Sequence, residues 1–124
     1  MQNKDNKIII ILSIVLLILD FIYITIFSDI FKKQIFKVQN KTLNLKLNST
    51  LLCYIFIILG LYYFIVKENK PLTDAFLLGI FVYGVYELTT ISLLTDWEWK
   101  TVILDTLWGG ILFTLSVYFT RKLI

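Results

Sequence analysis

Three acidic residues stand where acids are costly: Asp20 in VLLILDFIYITIF, Glu87 in YGVYELTTISLL and Asp105 in WKTVILDTLWGG. Each lies inside an apolar run, and a charge at the centre of a membrane helix costs at least about 2.5 kcal/mol on insertion scales. Carboxyl groups in such places have three uses. They hold a cation or relay a proton, they divide acid and base work in a reaction, or they hydrogen-bond as staples between helices. Their neighbours bear on the choice. At helical spacing Tyr83, Glu87, Thr90 and Ile91 share one face, Asp105, Trp108 and Gly109 share another, and Asp20, Tyr23 and Ile24 a third. Tyr86 and Thr89 stand beside Glu87, and their hydroxyls are further candidates for a polar site; the threonines can instead satisfy carbonyls of their own helix. Gly109 and Gly110 would let a neighbouring helix come close.

Other chemistries lack their residues. The chain has no histidine and one cysteine, Cys53, so the usual zinc, haem and di-iron ligand sets are missing and no cofactor is expected. No serine or cysteine stands with a histidine, which removes a triad hydrolase. No lysine lies in an apolar run, so no retinal Schiff base is expected. A hard cation bound by carboxylates stays chemically open, and the metal question with it.

The elements that carry these residues follow from hydropathy. Of the 124 residues 58% are hydrophobic and 17% charged, and the mean hydropathy is +0.80, well beyond an ordinary soluble domain. Continuous apolar runs near the spanning length of about 20 residues cover 8–27, 51–66, 75–94 and 101–120. They are rich in Leu and Ile and do not alternate with polar residues as barrel strands do. The expected fold is therefore all-α, an integral membrane four-helix bundle forming one transmembrane domain over residues 1–124. The first run follows Lys4 and Lys7 but lacks a convincing cleavage site, so it reads as a retained helix.

Threading places the acids together. The first and third spans run one way and the fourth runs back, so Asp20, Glu87 and Asp105 each come to lie roughly 9–10 Å below the same membrane face. That face bears the long polar segment 28–50, whose Ile30, Phe31, Ile35, Phe36 and Val38 alternate with lysines. It is either a helix lying in the headgroup region or an ordinary extramembrane loop. Asn40-Lys41-Thr42 and Asn48-Ser49-Thr50 match the glycosylation acceptor pattern and read as chance matches. In the turn KENKPLTD, Pro71 separates two helices and Thr73 or Asp74 is expected to cap the third span. In TDWEWK, Trp97 and Trp99 are expected as interfacial anchors. Short turns between spans two, three and four imply antiparallel neighbours. Cys53 reads as a small packing residue. The 12 Lys and Arg residues divide evenly between the two faces, so orientation stays open. The charge of +3 fits lysines at a lipid surface, and nothing resembles a nucleic-acid-binding module.

LILD in the first span, with YGVYELTTISLLTDWEWKTVILDTLWG across the third and fourth, resembles the small four-span membrane proteins grouped as domain of unknown function 2177. The matching positions are Asp20, Tyr86 to Thr90, Trp97 or Trp99, and Asp105 with Trp108 and Gly109. The resemblance covers essentially the whole chain and implies a site at these positions; it supplies no activity. Glu87 replaces the family's Asp with a longer reach, Thr90 replaces an Asn and loses an amide, and Tyr23 stands where a Trp is usual.

These features point first to a small transporter or channel-like protein for a cation, a proton or a small polar solute. Asp20, Glu87 and Asp105 would carry its field, Tyr83, Tyr86, Thr89 and Thr90 its hydroxyls, and Trp108 a wall. Four spans make a thin conduit, so a homo-oligomer is a plausible partner arrangement beside the lipid bilayer. The rivals are a membrane enzyme acting on a lipid or isoprenoid-like substrate, which the residues favour less, and a non-catalytic accessory subunit.

Overall fold

A computed structural model describes residues 2–40 and 46–124. Lys41, and with it the acceptor pattern at 40–42, falls partly outside the described residues. The chain forms α1 (Gln2–Ile26), α2 (Ser28–Gln39), α3 (Leu47–Leu61) running on as a π-helical turn (Tyr62–Val66), α4 (Leu72–Leu93) and α5 (Trp99–Leu123). No strand occurs among the described residues. Four stretches are long and apolar enough to cross a membrane: Lys4–Ile26, Leu47–Val66, Leu72–Leu93 and Trp99–Leu123. The expected all-α membrane bundle is what forms, each helix extending a few residues beyond its apolar run because polar ends reach the interface.

Of the two forms open to the segment after the first span, the structure takes the helical one. α2 follows α1 almost directly, and it ends at Asn40, whose φ of 56° is left-handed. Asparagine tolerates that conformation, and its backbone N–H closes the helix on the Phe36 carbonyl at 2.7 Å.

The tightest packing joins α4 to α5, α1 lies on α5, and α3 lies on α1. Glycine explains the first of these. A Cβ on Gly79 would collide with the Gly109 carbonyl, one on Gly109 with Tyr83, and one on Gly110 with Phe76. Gly109 and Gly110 thus act as expected, with Gly79 as their counterpart on α4. The expectation that spans two and three are close neighbours needs correction: the backbones of α3 and α4 hardly approach, despite the short turn between them. No glycine lets them close, since Gly60 on α3 faces open space.

The expected side-chain cap of α4 is also absent. Pro71 occupies the N-cap position and offers no side-chain acceptor, and neither Thr73 nor Asp74 takes that role. The turn is held instead by Arg121, whose Nη2 donates to the Lys70 carbonyl at 2.5 Å.

The core is apolar at the end of the bundle nearer both termini. Leu12, Leu16, Ile58, Leu61, Ile65, Ala75, Leu112, Phe113 and Val117 fill it. The acids lie at the other end.

Candidate functional site

Asp20 comes from α1, Glu87 from α4 and Asp105 from α5, and each is buried, with 6%, 1% and 8% of its surface exposed. The Glu87 and Asp105 carboxyls lie side by side. Two carboxyls so placed can bond to each other only when one of them carries a proton. Aromatic donors meet the remaining oxygens. Trp97 Nε1 donates to Glu87 Oε1 at 2.9 Å, Tyr23 Oη to Asp105 Oδ1 at 3.2 Å, and Trp108 Nε1 to Asp20 Oδ1 at 3.0 Å. Tyr54 Oη donates to Asp20 Oδ2. Tyr23 and Trp108 stack face to face, with centroids 4.5 Å apart and planes 1° from parallel. They tie the Asp20 and Asp105 sites into one assembly. Among the described residues no basic side chain pairs with them, and the carboxyls are held by hydrogen-bond donors.

α2 closes the assembly from the interfacial side. Gln34 is 3% exposed, the one buried residue of α2. Its Nε2 donates to the Asp96 carbonyl at 2.7 Å. Its Oε1 accepts from the Glu98 N–H and from Thr101 Oγ1, both at 3.0 Å. The turn between α4 and α5 is thereby fixed, and with it the indole of Trp97 over Glu87. Phe27 and Phe31 pack against Tyr23 from the same direction, with ring centroids 5.2 and 5.8 Å away. Lys37 and Glu98 add an exposed ion pair at 3.2 Å.

A cavity of about 290 Å³ reaches Asp20 from the side. Asp20 forms its floor; Ser49, Thr50, Cys53, Tyr54 and Ile57 of α3 form one wall, and Tyr83 of α4 the other. It exists because α3 and α4 stay apart, and it is open to the outside of the bundle, since Ser49 and Cys53 on its wall are exposed. Cys53 is exposed here, so it lines a cavity instead of packing in the core as the sequence suggested.

The structure gathers some of the expected residues and disperses others. Asp20, Glu87, Asp105 and Trp108 meet, and Tyr83 stands at the cavity wall, packed on Phe113 with ring centroids 6.0 Å apart. Tyr86 and Thr89 are exposed on the outer face of α4. The hydroxyls of Thr89 and Thr90 donate to the Val85 and Tyr86 carbonyls at 2.6 and 2.8 Å, the backbone role open to them from the start. Trp99 is exposed, as an anchor should be, whereas Trp97 is turned inward onto Glu87. Tyr54 and Gln34 are the site residues that sequence reasoning missed; Trp97 reads there as an anchor and, with Trp99 as the alternative, as a position matching the family pattern. Tyr54 had a signal, a hydroxyl within the apolar run 51–66, but several tyrosines share it. Among the described residues, no group of three or more His, Cys, Asp or Glu is so placed that it could hold a metal ion.

Comparison with known proteins found no match among curated proteins and none among solved structures. A family model does match, over residues 6–121, for the family described as predicted membrane protein DUF2177. It covers nearly the whole chain, including all three acids and every aromatic residue that donates to them, and the protein therefore belongs to the DUF2177 family of membrane proteins.

Proposed function

We propose that the protein is a small membrane transporter that takes up a proton or a cation at the Asp20, Glu87 and Asp105 assembly. The observation that carries this is the close approach of two buried carboxyls, Glu87 and Asp105, beside a third acid that a cavity reaches. A proton held between carboxyls in a low-dielectric site is exchangeable for another positive charge, since one carboxylate then gains a partner as it loses the proton. The apolar core below, with Leu12, Leu16, Leu112 and Phe113 fully buried, keeps the site from communicating with the far membrane face. That is the arrangement of a carrier whose site is reached from the side rather than of a continuous pore. A homo-oligomer, formed through the lipid-facing helix surfaces, fits so narrow a bundle.

Proteoliposomes containing the wild-type chain should show proton or monovalent-cation flux above empty vesicles. Asp20→Asn, Glu87→Gln and Asp105→Asn should each reduce it at least tenfold. Flux unchanged in all three variants would sink the reading.

A second reading, an enzyme acting on a lipid, draws support from the lateral opening of the cavity. Lipid extracts that differ with and without the protein would favour it over transport.

A further inference from the structure

The cavity between α3 and α4 has features that the acid assembly alone does not explain. It is not an enclosed hole between helices, since Ser49 and Cys53 on its α3 wall are exposed, and both stand on a stretch apolar enough to cross a membrane, which gives a molecule in the bilayer a route into it. Its floor is a carboxylate, Asp20, whose two oxygens each accept one hydrogen bond, from Trp108 and Tyr54. A carboxylate oxygen accepts two, so capacity is left on the cavity side. Tyr83 brings an aromatic ring to the opposite wall, and Tyr54 brings another beside the acid. The polar groups of the α3 wall, Ser49, Thr50 and Cys53, are neutral.

A negative floor between aromatic walls, open to lipid, selects by charge and shape together. We infer that this cavity binds a single-chain amphiphile with an ammonium head, the head on Asp20 between Tyr54 and Tyr83 and the chain lying out through the gap between α3 and α4. This deepens the transport reading, on which it rests, by naming the class of cation. The ammonium donates hydrogen bonds to the free capacity of Asp20 and lies against aromatic faces, an attraction that grows when the site is desolvated. The chain remains in hydrocarbon, so no apolar surface has to be moved into water. A volume of about 290 Å³ is at the lower end of small-molecule sites, enough for a head and the first methylenes but not for a whole double-chained lipid. Anionic heads are disfavoured because they would meet Asp20 with no basic residue among the described lining residues to offset it.

The test uses the full chain in nanodiscs of zwitterionic lipid, with tryptophan fluorescence as the readout, because Trp108 bonds directly to Asp20. Dodecylammonium should change the emission saturably, while chain-matched dodecanol and dodecanoate should not. Asp20→Asn should weaken the response at least tenfold. Cys53→Trp, which places an indole in the cavity, should also weaken it, read by competition with a spin-labelled alkylammonium so that the new fluorophore does not interfere. Ser49→Phe serves as a second filling variant should Cys53→Trp fail to fold, and Gly60→Ala, facing open space, should bind as wild type does. Binding within twofold of wild type in Asp20→Asn, or an equal response to dodecanol, would overturn the inference. Binding is measured without flux, so inactive proteoliposomes would count against the transport reading alone.

Discussion

Four aromatic donors, Tyr23, Tyr54, Trp97 and Trp108, do for the buried acids what lysine and arginine do in most proteins. The choice suits a membrane, since an indole or phenol carries its hydrogen-bond donor on a body that lipid and helix both accept. Each donor is then irreplaceable by its apolar analogue. Trp97→Phe should lower unfolding stability by about 1–3 kcal/mol, because it leaves a Glu87 oxygen buried without its partner. Trp99→Phe, two residues away but exposed, should change it by no more than about 0.5 kcal/mol. Denaturant titration of both variants in one detergent measures the difference. The acids themselves were legible in the sequence, because a charge inside an apolar run is conspicuous. Of their donors, Tyr23 and Trp108 could be placed near an acid by helical spacing, whereas Tyr54 and the inward turn of Trp97 could not. Tryptophan at the end of a span is ordinarily an anchor, and Trp97 and Trp99 differ only in which side of a turn they face, something set by Gln34 from a helix far away in sequence.

At the level of elements, one pair of helices is fixed and another is not. α4 and α5 are locked by glycines against backbone, so Gly79→Ala should destabilise the protein by about 1–3 kcal/mol or more, since the Gly109 carbonyl cannot move aside as a side chain can. Gly60→Ala should do the opposite and stabilise by up to about 1 kcal/mol, as alanine is the better helix former and nothing stands in its way. Thermal unfolding of the two variants compares them directly. α2 offers a second contrast. Gln34→Ala deprives the Asp96 carbonyl, the Glu98 N–H and the Thr101 hydroxyl of one shared partner, and faster hydrogen exchange at the Glu98 amide should report it. Lys37→Ala removes only an exposed ion pair, and should change stability by less than about 1 kcal/mol. The spans were readable from hydropathy and the glycine contact from the Gly109-Gly110 pair. The separation of α3 from α4 was not, because a short turn limits how far two helix ends can part but not how closely their shafts must pack.

For the whole molecule, hydropathy gives four crossings, and an even number puts Gln2 and Leu123 on the same side of the membrane. Tags at the two ends should therefore be digested together, or protected together, when sealed vesicles are treated with protease. One tag digested and one protected would overturn the four-span fold. α2, the Gln34 contacts and all three acids belong to the opposite half. The even division of lysine and arginine, which left orientation undetermined, has no bearing on this internal asymmetry. It arises from where the buried groups sit along each helix, with the carboxyls and their aromatic donors toward one end and the leucine-rich core toward the other.

The position of Cys53 has a practical consequence. It is the only thiol in the chain, and it stands in the wall of the cavity rather than in the core. Any maleimide or nitroxide reagent must therefore attach at that wall, with no background to remove by mutagenesis. A label placed there reports the width of the gap between α3 and α4 in the native sequence, and its reaction rate measures how readily a molecule from the bilayer reaches the neighbourhood of Asp20.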